Sequence, residues 1–318
     1  MDIATPRVTL DDIEAAATRI SSRVRRTPCI RSRFNLAPLG ASELLLKLEC
    51  LQVTGSFKAR GANNAILSLD EAAVKRGVIS ASGGNHGLAV AYAGRASETS
   101  ALIYLPEATP AAKADKLRAW GAEVVIEGAV WDDANHAALS HAERDGLTYI
   151  HPFADPTVIA GQGTVGCEML KQSSHIDVLV VAIGGGGLIS GIATAAKAIK
   201  PDITVIGVEP VGAPTLTTSL DAGIVTTLPA IHTDAITLAP RRSAEINLGI
   251  IRDNVDHIVL VDDEAMRVAA RWLWFEAGIA AELSGAASIA AIQTGKIDVP
   301  ECATVAALIC GAGVDGVS

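Results

Sequence analysis

Lys58 stands one step past a Thr54-Gly55-Ser56-Phe57 turn, where the pattern becomes helical. A lysine at the positive end of a helix, shielded from water, releases its proton more readily, and the neutral amine is a nucleophile and a base. An exposed lysine at a helix start is the plain alternative. The loop Ser82-Gly83-Gly84-Asn85-His86-Gly87 separates a strand pattern from a helix pattern. Its main-chain N–H groups can receive an anion such as a carboxylate, and Asn85 adds an amide that both donates and accepts. A tight turn with Asn85 as helix cap explains the same residues, and His86 alone reads as structural. Gly184-Gly185-Gly186-Gly187-Leu188 follows the strongest strand pattern and opens a helix. Four glycines let the backbone approach a phosphate closely, with the helix end adding partial positive charge. Cys310, before Gly311-Ala312-Gly313, closes the last strand pattern and reads either as a small polar group facing a ligand or as a buried thiol.

The glycine run also raises a dinucleotide reading, because Glu209 ends the next strand near the spacing of a ribose-binding acid. A frame from Gly185 reads Gly185-x-Gly187-x-x-Ser190, however, and lacks the last glycine of that fingerprint. Arg241, Arg242 and Ser243 either border a substrate or face solvent.

The elements that must position these groups alternate. Helices are expected over 10–24, opened by Thr9 as cap, and over 56–67, 85–96, 110–120, 131–144, 188–199, 263–277 and 284–292. Strands are expected over 44–48, 78–81, 100–105, 123–127, 177–183, 203–208, 258–261 and 303–309. This order predicts an α/β protein with parallel sheets covered on both faces by helices, its ligands at the carboxyl ends of strands. No linker divides the chain, so a second lobe must arise by insertion. The chain has 318 residues, of which 49% are hydrophobic, 19% charged and 3% aromatic, enough apolar content for sizeable cores. Net charge is −9 with no dense basic block, which argues against nucleic acid. The N-terminus lacks a signal-like apolar region and no apolar run could span a membrane, so a cytoplasmic protein is expected. Five scattered cysteines without a CxxC pair suit reduced thiols and speak against a zinc site.

Taken together, Gly55-Ser56-Phe57-Lys58-x-Arg60-Gly61-Ala62, Ser82–Gly87, the tetraglycine loop and Gly207-Val208-Glu209-Pro210 resemble the fold-type II pyridoxal-phosphate enzymes, in particular their threonine/serine dehydratase branch. The resemblance runs from about Thr27 to Asp315 and extends to serine racemase. It implies a two-lobed fold like that of tryptophan synthase β. The large cofactor-binding lobe would comprise 1–75 and 148–318, and a smaller inserted α/β lobe 76–147. It also implies that Lys58 holds pyridoxal 5'-phosphate as a Schiff base, with Phe57 near the ring and Asn85 on the phenolic oxygen. Gly184, Gly185, Gly186, Gly187 and Leu188 would bind the phosphate, and Cys310 would face the pyridine nitrogen. Ser82, Gly83, Gly84, Asn85 and His86 would receive the substrate carboxylate.

The activity implied is that of an ammonia-lyase of the carbon–oxygen lyase class. It would convert L-threonine, L-serine or a similar β-hydroxy amino acid to a 2-oxo acid and ammonia, working as a homodimer. Relatives acting on 3-hydroxyaspartate, phenylserine or a compatible-solute breakdown intermediate are the alternative. A nicotinamide oxidoreductase and a non-catalytic cofactor-binding protein stand outside that class.

Two departures carry meaning. Gly83 replaces the serine that racemases use as their second acid/base. Thr215 stands where metal-binding relatives place a second carboxylate after Glu209, so no metal is expected. Ending at Ser318, the chain is expected to lack the regulatory domain of isoleucine-inhibited threonine deaminases.

Overall fold

The computed structural model describes residues 8–33, 35–39, 43–298 and 302–317. Its strands are β1 (Cys29–Arg31), β2 (Glu43–Leu48), β3 (Val78–Ala81), β4 (Ala101–Leu105), β5 (Glu123–Ile126), β6 (Thr148–Tyr149), β7 (Val178–Ala182), β8 (Thr204–Pro210), β9 (His257–Val261) and β10 (Thr304–Ile309). Its helices are α1 (Leu10–Ile20), α2 (Lys58–Leu67), α3 (Glu71–Arg76), α4 (Asn85–Ala96), α5 (Ala111–Ala119), α6 (Trp131–Asp145), α7 (Pro156–Gln172), α8 (Gly187–Ile199), α9 (Thr215–Ala222), α10 (Glu245–Asn254), α11 (Asp263–Ala277) and α12 (Leu283–Gln293).

The strands form two sheets, one in the order β1-β2-β10-β7-β8-β9 and one in the order β5-β4-β3-β6. Among the described residues these strands all pair in parallel except β1 with β2. Every residue of β7 and β10 is buried, as expected of parallel strands covered on both faces. The smaller sheet reaches past the expected 76–147 segment, because Thr148 and Tyr149 pair with Val78 and Ile79. Ala59, Ala62, Ala65 and Ile66 of α2 pack in the core of this smaller sheet, so the helix that begins with Lys58 joins the two layers. Among the described residues no helix is long and apolar enough to cross a membrane.

Local differences from the sequence reading have physical causes. The first helix stops at Ile20, where the Ser21 hydroxyl donates to the Thr18 carbonyl at 2.9 Å and competes with the helical ladder. The helix expected from Ser56 starts at Lys58, because Ser56 is extended and bridges Gly311. The turn before it needs left-handed backbone at Thr54 (φ 64°) and Gly55 (φ 85°). Helix α7 was not expected at all, yet it is the central buried helix. Its glycines are contact points: a Cβ on Gly161 would lie 2.6 Å from Gly61 Cα, and one on Gly163 2.8 Å from the Gly191 carbonyl oxygen. Those close approaches seat α2 and α8 against α7 and so place the residues at their N-termini.

Candidate active site

Lys58 is the first residue of α2, where the free N–H groups of the helix disfavour an ammonium. Its Nζ donates to the Pro152 carbonyl at 2.6 Å and lies 5.1 Å from the centre of the Phe57 ring. Burial brings its pKa down to about 8, against the opposing pull of Cys310 and Glu282. The Phe57 N–H donates to the Cys310 carbonyl at 3.2 Å, and the Ala312 N–H to that of Gly55 at 2.8 Å. These main-chain bonds set the end of β10 beside the start of α2. Cys310 is 3% exposed, and its thiol donates to the Ser284 carbonyl at 3.4 Å. Burial raises the thiol's pKa, so the group is neutral.

The loop after β3 approaches from the other sheet. Gly87 is required there, because a Cβ would lie 2.0 Å from the Ser82 carbonyl oxygen. Gly84 caps α4 without a side-chain hydrogen bond, and the space around its missing Cβ is open. The first-turn N–H groups of α4 are thus available to an anion. Asn85 donates from Nδ2 to Glu282 Oε1 at 2.8 Å. The side chain of His86 turns away from this loop: it is 3% exposed and its Nε2 donates to the Ile150 carbonyl at 2.9 Å. Burial lowers its pKa to about 3, so only the main chain of His86 remains on the open face.

The glycine loop after β7 is cut to its neighbours. A Cβ on Gly185 would meet the Phe153 ring at 2.3 Å, and one on Gly187 the Phe153 carbonyl oxygen at 2.6 Å. Gly186 has φ 93° and caps α8 with no side-chain bond. The Ser243 hydroxyl, at 2.9 Å, and the Asn247 amide both donate to the Gly185 carbonyl, aligning the loop. Ser190, in the first turn of α8, has a buried hydroxyl without a partner among the described residues.

Three groups that the sequence reading missed join these segments. Glu282, just before α12, accepts from Asn85, from the Ser284 hydroxyl, and from Thr237 at 3.4 Å. Burial pushes its carboxyl above the usual carboxylate range. The Thr237 carbonyl oxygen would touch a Cβ on Gly184 at 2.8 Å, which links Glu282 to the glycine loop. The segment His151–Phe153 runs from Lys58 to the glycine loop. An acid ahead of an apolar helix signals only a cap in sequence, and nothing local marks Thr237 or His151.

Other expectations resolve differently. Glu209 is fully buried and caps α9, accepting from the N–H groups of Leu216 and Thr217 at 2.8 and 2.9 Å and from the Thr217 hydroxyl at 2.6 Å. It is committed to the helix and does not stand free for a ribose. Arg241 donates to the carbonyls of Leu228 and Pro229, and Arg242 to the Thr227 hydroxyl, so both brace their own loop. Two surface hollows, beside Asp262 and beside His141, are lined by none of the cluster residues.

The donor set suits pyridoxal phosphate: an uncapped helix end cradled by glycines, a neutral-prone lysine, an amide and a neutral thiol. The family model for pyridoxal-phosphate dependent enzymes matches residues 20–311. The L-threonine ammonia-lyase of Thermotoga maritima is 39% identical over 308 residues, covering 97% of this chain and 76% of the relative. The solved T.th. threonine deaminase is 39% identical with a TM-score of 0.90, covering 96% of this chain and 98% of that one. Maize serine racemase is 35% identical with a TM-score of 0.92, covering 97% and 94%.

Proposed function

Because the chain belongs to the pyridoxal-phosphate-dependent enzyme family, we propose that it is an ammonia-lyase that dehydrates L-threonine, L-serine or a similar β-hydroxy amino acid to a 2-oxo acid and ammonia. The observation that carries the reading is the placement of the Lys58 amine, its pKa brought down to about 8 by burial, between Phe57, the Cys310 segment and the loop leading to the glycines. Pyridoxal phosphate, when bound, supplies an electron sink for charge developing at the substrate α-carbon. Lys58, Asn85, Cys310 and residues 184–188 would hold it. The Lys58 amine takes the α-proton, and burial keeps enough of it neutral near physiological pH to do so. The N–H groups at the start of α4, with Ser82 to Asn85, orient the substrate carboxylate. Cys310 offers a neutral contact where other cofactor sites place a carboxylate. In the same reading the enzyme acts as a cytoplasmic homodimer.

A panel of β-hydroxy amino acids, including 3-hydroxyaspartate and phenylserine, assayed for 2-oxo acid, tests the activity and ranks substrates. No 2-oxo acid from any member would overturn it. Likeness to maize serine racemase raises a second activity. Gly83 has no side-chain proton to deliver, so L-serine should give pyruvate far faster than D-serine. Chiral chromatography of a timed reaction decides, and D-serine forming as fast as pyruvate would favour racemisation.

A further inference from the structure

His151 takes no part in the mechanism above, yet it is held as carefully as Lys58. Its ring stands edge-on to Phe153 and Tyr149, with centroids 4.7 and 6.1 Å away. Nδ1 accepts the main-chain N–H groups of Phe153 and Ala154 at 3.1 and 2.9 Å. A ring nitrogen that accepts cannot carry the proton, so the neutral ring bears its hydrogen on Nε2. Burial, then the nearby Lys58 charge, bring the pKa down to about 4, which keeps the ring neutral at working pH. Among the described residues nothing hydrogen-bonds Nε2. The next residue, Pro152, accepts from Lys58, and the one after it packs on Gly185 and Gly187. The ring thus stands on the segment that links the proposed base to the proposed phosphate loop, near enough to Lys58 to feel its charge. His86, the other imidazole here, is buried, spends its N–H on Ile150 and has none to offer.

We propose that His151 is a substrate-contacting residue whose Nε2–H hydrogen-bonds the β-hydroxyl oxygen of the amino acid. It selects a hydroxyl over an alkyl group at that position and stabilises the oxygen as its bond to carbon lengthens. The α-proton taken up by Lys58 balances the departing hydroxyl, the two leaving together as water, so the ring keeps its own proton throughout. This role rests on the dehydratase reading and deepens it.

Two substitutions separate the ring's two ends. His151→Asn keeps an acceptor near the Nδ1 position and removes the distal donor, whereas His151→Gln restores a donor near Nε2. Both are assayed with L-serine and with β-chloro-L-alanine, whose chloride leaves without such help. The visible absorbance of bound cofactor and its dissociation constant are measured alongside. In His151→Asn, kcat/KM for serine should fall about tenfold or more, the equivalent of one good hydrogen bond made in the transition state. Turnover of chloroalanine and cofactor affinity should stay within about threefold, since one spared bond leaves them unaffected. His151→Gln should regain part of the serine rate. Equal losses on both substrates, an unchanged serine rate, or loss of cofactor binding in both variants would overturn the assignment. Wild-type enzyme that eliminates from neither substrate would instead refute the dehydratase reading.

Discussion

Replacing Arg60 by methionine should cost this protein a large part of its stability, and the cost should depend on pH in a defined direction. Arg60 lies two residues after Lys58 and is 2% exposed. Its Nε and Nη2 donate to the two oxygens of Glu49 at 2.8 and 2.7 Å, Nη2 also reaches Glu168 at 3.1 Å, and Nη1 reaches the Thr164 hydroxyl at 3.2 Å. Lys47, fully buried, donates to Glu168 at 2.6 Å, to the Thr27 carbonyl and to Gln172. Two cations and two anions therefore balance inside the layer that joins β2, α2 and α7.

Methionine fills similar space but leaves Glu49, which is 0% exposed, with only the Thr27 hydroxyl and a more distant Lys47. Removing one partner of a buried pair costs about 3–5 kcal/mol, set against a total of about 5–15 kcal/mol. The melting temperature should drop by roughly 6–15 °C. In the native protein burial works to raise the Glu49 pKa, but Arg60 prevails and holds it below the usual range. That depressed pKa contributes stability above about pH 4.3, lost as pH falls through the native value.

Without Arg60, burial is opposed only by the Thr27 hydroxyl and the more distant Lys47, and the native pKa rises above the unfolded one. The penalty is then absent at low pH and grows as pH rises. Urea unfolding of variant and wild type should show a deficit at pH 8 that shrinks by about 1–3 kcal/mol at pH 5. Removing both partners, in Arg60→Met with Glu49→Leu, should recover much of the loss. A deficit under about 1 kcal/mol, or one equal at both pH values, would refute the reasoning.

Lys58→Ala should abolish the visible absorbance of the loaded enzyme and its elimination activity, while cofactor-free protein melts within about 3 °C of wild type, because among the described residues the amine makes a single hydrogen bond, to Pro152. Capture of cofactor by cofactor-free protein, followed by absorbance, should speed up as pH rises through about 8, where the Lys58 amine loses its proton; a midpoint near ~10.4 would mean an ordinary lysine. Gly186→Ala forces a side chain to φ 93° with its Cβ 2.8 Å from Leu216, so cofactor affinity measured by dialysis should fall about tenfold or more. Cys310→Ser should keep most activity. Cys310→Asp puts a second buried acid near Glu282 and should slow elimination at least about tenfold in steady-state kinetics.

How much was legible in the sequence follows from how far each signal reaches along the chain. The strand 78–81 and the helices 85–96 and 263–277 have the bounds expected of them, since each is written in residues that are its own neighbours. Lys58, Asn85, the four glycines and Cys310 could be singled out for the same reason: each stands at a junction of local patterns, and a glycine run between strand and helix signals its backbone geometry directly. Helix α7 was hidden because its glycines weaken the local helical signal, and what makes it helical is burial against α2 and α8.

Only the tertiary structure decided which groups meet. Asn85 binds Glu282 across 197 residues, and Lys58 binds Pro152 across 94. It also decided the states of those groups: the same burial that lowers Lys58 to about pH 8 lowers His86 and His151 and raises Glu282 and Cys310. Local sequence carries propensity and periodicity over a turn or two. Desolvation and hydrogen-bond partners are set by segments that arrive from elsewhere in the chain, so the charge and reach of these side chains could not be read before the sheets brought them together.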